Sequence, residues 1–179
     1  MSNKMITVSN SYSFVPLMKK FHTYKYEIFL IVAMNNRKEV IATKVISGGT
    51  SEVNIDYKEI LSFLKEKKAT YFVLLHNHPS GNVIPSATDC EATFGYYMFF
   101  KSMEITLIDH IVFSQGNYFS FFNSYVLDEY KKIYNSGIWK TQDIKKNLYK
   151  VEDKNIDKFY NRMFNNYWKK GIDTIYYIV

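Results

Sequence analysis

Residues 76–89 read HNHPSGNVIPSATD, with two histidines one residue apart at the end of an apolar run and a serine and an aspartate arriving together after a Pro-Ser-Gly loop. On an extended strand, side chains two apart share a face. His76 and His78 therefore point the same way and can chelate one ion, while Asn77 points to the other face. Pro79 keeps His78 out of a helical conformation. If Ser86 caps a following helix, Asp89 falls in its first turn, facing back toward the strand end. Two nitrogens and one carboxylate oxygen leave a fourth position on Zn²⁺ for water, the pattern of catalytic rather than structural zinc. Taken alone, Ser-x-x-Asp is also an ordinary helix cap with a favourable dipole interaction, and a single His-x-His is a weak signal. The conjunction of strand, His-x-His, loop and capped helix is what points to a metal.

The elements that must position these residues follow from periodicity. "YEIFLIVAMNN" (26–36) is short, apolar and rich in β-branched and aromatic residues, which suits a buried strand. "EVIATKVIS" (39–47) follows at once, so the two form a hairpin turning at "NNRK". "DYKEILSFLKEKK" (56–68) reads as a helix, with Asp56 and Glu59 spaced as a capping box and Ile60, Leu61 and Leu64 on one face. "TYFVLLH" (70–76) returns as a strand buried on both faces. "SATDCEATFGYYMFFKSM" (86–103) has the spacing of a second helix, weakened by Gly95. "EITLIDHIVFS" (104–114), the turn "QGN" and "YFSFF" (118–122) close the pattern as a hairpin. From residue 123 onward Lys, Asn and Tyr dominate, with helical spacing in "LDEYKKIYNSGIW" and "NIDKFYNRMFNNYWKK" and an apolar C-terminal "DTIYYIV" that can add a strand.

Composition narrows the function classes. A chain of 179 residues supports one domain with a sizeable core and an appendage. The net charge of +6 would suit nucleic acid, but the basic residues are dispersed. Most of that charge sits in residues 123–179, where eleven basic residues are interleaved with seven acidic ones. One cysteine, Cys90, excludes an internal disulfide. No segment has the apolar length of a membrane span or a signal peptide, so no membrane partner and a cytoplasmic location are expected.

"HNHPSGNVIPSATDCEAT" resembles the JAMM signature of the JAB/MPN+ metallopeptidase clan, in the form carried by RadC-like proteins. "GGT" (48–50), "YKEIL" before the central strand, Thr93 four residues after Asp89 and "DHIVFSQGNYFSF" (109–121) extend the resemblance over roughly residues 25–122. Lys58 stands where many relatives have Arg, and the helix-hairpin-helix region of full-length RadC proteins is not among these residues. The resemblance implies an α/β fold, a JAB/MPN-like (cytidine-deaminase-like) mixed β-sheet flanked by helices. Around it the chain divides into an N-terminal segment (1–24), the JAB/MPN+ domain (25–122) and a basic, aromatic-rich, helical C-terminal extension (123–179).

By the same resemblance His76, His78 and Asp89 are ligands of one Zn²⁺ per chain, and Ser86 polarises the scissile carbonyl. A glutamate from an upstream strand serves as general base, and Glu27, the acidic residue beside the first apolar run, is the candidate. Asp109 and His110 read as support, one of them orienting a ligand imidazole, although His110 also fits an ordinary core histidine; Asn77 reads as tying down the loop. The implied activity is metalloprotease-type hydrolysis of a peptide or isopeptide bond in a protein substrate, possible targets including ubiquitin-like ones. The alternative is a nucleic-acid-associated accessory protein of a mobile element or DNA-repair context, working through the basic tail. Other rivals lack their parts. The adjacent letters HNH do not form the ββα unit of a nuclease, and the His-x-Glu and Pro-Cys-x-x-Cys of a deaminase are missing.

Overall fold

The computed structural model describes residues 8–47, 56–135 and 175–177. A six-stranded sheet forms its centre, in the order β2-β1-β3-β4-β5-β6. The strands are β1 (Ile28–Met34), β2 (Val40–Ser47), β3 (Tyr71–Asn77), β4 (Thr106–Phe113), β5 (Asn117–Ser120) and β6 (Ile175–Tyr177). β1 and β2 form the expected hairpin, its turn closed by Asn35 Oδ1 accepting from the main-chain N–H groups of Arg37 and Glu39 at 2.9 and 3.0 Å.

All seven residues of β1 are buried, as its unbroken apolar run requires of a strand covered on both faces. Helices α2 (Tyr57–Glu66) and α3 (Ala87–Ser102) cover one face. There Ile31, Leu74, Ile60, Leu64, Phe94 and Phe100 share a core. A short 3₁₀ turn (Ser11–Phe14) and α1 (Val15–Phe21) cover the other, packing Phe14, Met18 and Phe21 near Leu30, Val73 and Ile111. This N-terminal helix was not assigned from sequence, although Pro16 in its first turn and apolar residues at 14, 15, 18 and 21 carry the signal.

Asp56 caps α2, accepting from the Lys58 N–H at 2.9 Å. Its expected capping partner Glu59 turns instead to Lys44 on β2, at 2.9 Å. α3 runs unbroken through Gly95, where Tyr57 of α2 fills the space a Cβ would need.

β3 and β4 run parallel and so require a crossover, which α3 supplies. The crossover matters for function because it sets the start of α3 beside the carboxyl end of β3, the usual position of a site in an α/β sheet. Beyond β5, α4 (Val126–Asn135) lays Val126, Leu127 and Tyr130 into the core shared with α3. The C-terminal strand pairs antiparallel with β5, Phe119 opposite Ile175. The second helix expected in the tail, over 155–170, lies outside the described residues. No helix among the described residues is long and apolar enough to cross a membrane.

Candidate metal centre

His76 is the sixth residue of β3 and is 1% exposed. His78 lies just past the strand, its N–H donated to the Phe113 carbonyl at 2.8 Å, so the extended geometry continues and both imidazoles emerge on the face covered by α3. Asp89 reaches the same point from the first turn of α3. His76 Nε2 and His78 Nε2 stand 2.9 Å apart. Asp89 Oδ1 is 3.2 Å from His76 Nε2, and Oδ2 is 3.5 Å from His78 Nε2. With zinc–ligand bonds of about 2.0–2.2 Å, tetrahedral ligands stand about 3.4 Å from one another. The three donor atoms thus surround one ion-sized position, and among the described residues they form the one such His/Cys/Asp/Glu group.

Charge at the site is arranged for a cation. Burial works against ionising Asp89, but the adjoining imidazoles of His76 and His78 and the Ser86 hydroxyl outweigh it and hold the carboxyl well below the usual carboxylate range. Burial likewise works against protonating His78, yet Asp89, the Asn82 carbonyl and, more weakly, Glu27 raise its pKa above the ordinary histidine value. The Asn82 carbonyl, which can only accept, lies 2.6 Å from His78 Nδ1, so Nδ1 carries the hydrogen and Nε2 presents a lone pair to the site.

Ser86 is the N-cap of α3 and completes a capping box with Asp89. Asp89 Oδ2 accepts from both the main-chain N–H and the hydroxyl of Ser86, each at 2.7 Å. The cap and the ligand readings of Ser-x-x-Asp are therefore compatible, because the cap holds the carboxylate in the position a ligand needs. Glu27 directly precedes β1 and is half-buried. Phe29 and His76 close the β1–β3 ladder, and Glu27, two residues before Phe29, is near enough for its charge to raise the His78 pKa.

The surrounding residues divide by face. Asn77, fully buried, points away from the ligands. Its Oδ1 accepts from the Ile28 N–H at 2.8 Å, and its Nδ2 donates to the carbonyls of Tyr26 and Tyr24 at 3.1 and 3.3 Å. His110 on β4 lies beside the site, its Nε2 2.8 Å from His76 Nδ1. Asp109, its neighbour, points to the opposite face, where it accepts from Ser120 at 2.7 Å and from the Phe122 N–H at 3.0 Å. Strand alternation allows one of the pair, not both, to reach the ligands, and of the two expected supporting groups it is His110 that lies against a ligand imidazole. Thr93 and Phe29 received no role from sequence. Thr93, one turn after Asp89, contacts His110, and Phe29 stacks on the His76 ring at 4.7 Å. The four-residue spacing from Asp89 to Thr93 was the readable signal for a shared helix face.

A mixed sheet with a His-x-His at a strand end and an aspartate at the start of its crossover helix defines a JAB/MPN-like fold. The RadC-like JAB domain family matches residues 8–126, and the chain belongs to that family. It is similar to the UPF0758 protein of Streptococcus sanguinis (strain SK36), 33% identical over 98 residues, covering 54% of this chain and 43% of that protein. A UPF0758 protein of Gloeothece citriformis (strain PCC 7424) is 37% identical over 93 residues, covering 51% and 38%. One from Clostridioides difficile (strain 630) is 32% identical over 105 residues, covering 58% and 45%. The matched stretch is thus less than half the length of each of these relatives.

Proposed function

We propose that the protein is a zinc-dependent hydrolase of the JAMM type that cleaves a peptide or isopeptide bond. The observation that carries this reading is the convergence of two imidazole nitrogens and one carboxylate on a single position, rimmed by a half-buried glutamate and an exposed serine. A zinc ion held by His76, His78 and Asp89 would polarise the substrate carbonyl and bring the pKa of a water near neutrality.

Glu27, whose charge acts on His78, takes the proton of that water and returns it to the leaving amine. Ser86 sits at the solvent edge of the site, and its hydroxyl rotor turns from Asp89 to donate to the carbonyl oxygen as that oxygen gains charge. Asn77 holds the chain that carries Glu27 by bonding to Ile28, the next residue. Cys90 offers no competing nucleophile, since burial pushes its thiol up to about 12. A buried thiol with no partner for a disulfide also suits a reducing cytoplasm.

The substrate class on this reading is a protein or peptide amide, with ubiquitin-like conjugates as one candidate group. The test is a panel of ubiquitin-like fusions and short peptides, incubated with wild type, with Glu27→Gln and with chelator. Cleavage by wild type that both the variant and the chelator abolish is the expected outcome. Metal-dependent cleavage of nucleic acid, with no amide hydrolysed, would favour the rival in which the basic tail engages DNA or RNA; that binding would also weaken steeply with salt.

A further inference from the structure

His76 can act as a ligand through Nε2 only if its hydrogen sits on Nδ1, and Nδ1 faces another histidine that could either donate or accept. The ambiguity is resolved two residues further out. His110 Nδ1 lies 2.6 Å from Thr93 Oγ1, and the Thr93 hydroxyl in turn donates to the main-chain carbonyl of Asp89. A carbonyl oxygen has no hydrogen to give, so the hydroxyl hydrogen is committed to it, and Thr93 Oγ1 can only accept from His110 Nδ1–H. His110 Nε2 then bears a lone pair, and His76 Nδ1 must donate to it. The opposite polarity would set the Thr93 and Asp89 oxygens lone pair to lone pair in contact.

We infer that Thr93 is a positioning residue for the metal centre, fixing the tautomer of His76 through His110 so that His76 Nε2 presents its lone pair to the ion. The inference rests on the reading of His76, His78 and Asp89 as zinc ligands. All three members of the chain are buried, Thr93 at 0%, His110 and His76 at 1% exposure, so the chain is sheltered from bulk water. The chain closes on itself: it begins at one ligand, His76, and ends on the main chain of another, Asp89. A shift of α3 relative to β3 would therefore break it, which couples the two halves of the site. The rings are further held flat, Phe29 stacked on His76 at 4.7 Å and Phe121 on His110 at 5.2 Å, so neither imidazole can turn to exchange its nitrogens without losing a stack.

The experiment labels histidine with ¹⁵N and reads the imidazole tautomers of the metal-free protein at mildly alkaline pH, beside zinc affinity measured by competition with a chromophoric chelator. Wild type should show His76 and His110 both protonated at Nδ1. Thr93→Val, nearly the same shape without the hydroxyl, should give mixed tautomers at both rings and weaken zinc by about 10- to 100-fold, the range expected for loss of an outer partner. Thr93→Ser should restore both readouts. Zinc affinity unchanged in Thr93→Val, or lowered with the tautomers as in wild type, would overturn the inference, the latter meaning that Thr93 acts only as filling. Wild-type spectra showing either ring protonated at Nε2 would overturn it without any variant. Wild type that takes up no zinc yet shows the stated tautomers would sink the metal reading and leave the hydrogen-bond chain standing.

Discussion

Asn77 Oδ1 accepts the main-chain N–H of Ile28 at 2.8 Å, tying the residue between the two candidate ligand histidines to the residue after the candidate base. β3 thus presents its ligands on one face and, from the other, secures the segment that delivers Glu27. Replacing Asn77 by Ala leaves the buried Ile28 N–H without its partner, while the carbonyl of exposed Tyr26 can turn to solvent. The expected cost is about 1–3 kcal/mol, that of one buried donor left unsatisfied. Urea unfolding should register that loss while zinc content, measured on the folded protein, stays near wild type and amide hydrolysis falls. A variant as stable as wild type would mean that the segment before β1 is held by other contacts.

Purified wild type should bind one zinc per chain, and His78→Ala or Asp89→Ala should remove it, as elemental analysis would report. The pH dependence has a definite sign. Asp89 stays ionised throughout the ordinary range, whereas the His78 pKa is raised, so protons compete for His78 at a higher pH than for a typical imidazole. Zinc affinity should therefore weaken as pH falls, beginning above the usual histidine range near 6.5. Equal metal in wild type and both variants would place the site elsewhere.

Ser86 carries two roles that separate experimentally. Ser86→Ala removes the acceptor of the Asp89 N–H at 3.1 Å and the donor to Asp89 Oδ2. Loss of the cap should cost about 1 kcal/mol, and loss of a carbonyl-oxygen donor should slow turnover by roughly 10²-fold. Restoring stability by a change elsewhere should leave the rate defect in place. If the rate returned with the stability, Ser86 would be a cap alone.

Asp109 predicts a slope of stability with pH. Burial pushes its carboxyl up to about 7, against the hydrogen bonds from Phe122 and Ser120. The native protein then keeps a proton that the unfolded chain, with a carboxyl near its ordinary value of about 3.9, has already lost. Fewer protons are bound in the unfolded state over that window, so stability falls as pH rises from about 4 to about 7 and levels off above. Asp109→Asn cannot titrate, so comparing denaturation at about pH 5 and about pH 8 should show it losing less stability than wild type, by at least about 1 kcal/mol. Parallel curves for the two proteins would count against a proton on Asp109.

What the residues alone determined was local. A run of β-branched and aromatic residues has one economical state when both faces are covered, so β1 and β3 were legible at 26–36 and 70–76. The His-x-His spacing already put His76 and His78 on one face, because strand alternation is a property of the backbone. Ser86 and Asp89 could be read as the start of α3 for a similar reason, since a cap satisfies its own helix. The region of the hairpin at 104–122 and the strand in "DTIYYIV" followed from the same alternation.

Tertiary structure decided everything that depends on which chain segment lies across from which. The parallel pairing of β3 with β4 puts His110 rather than Asp109 beside His76, and a register shift at Phe72/Val73 is part of that alignment. No spacing in the sequence encodes it, since β3 and β4 are separated by a whole helix. The same is true of Glu27, which the pairing of β1 with β3 brings within electrostatic reach of His78, and of the alternative claimed by Glu59, which left its expected cap for Lys44 across the fold. Thr93 shows the limit most plainly. Its place four residues after Asp89 was visible, but its hydroxyl acquires meaning only when β4 brings a second imidazole to within 2.6 Å, because a hydrogen-bond chain needs donors and acceptors fixed in space by elements remote in sequence.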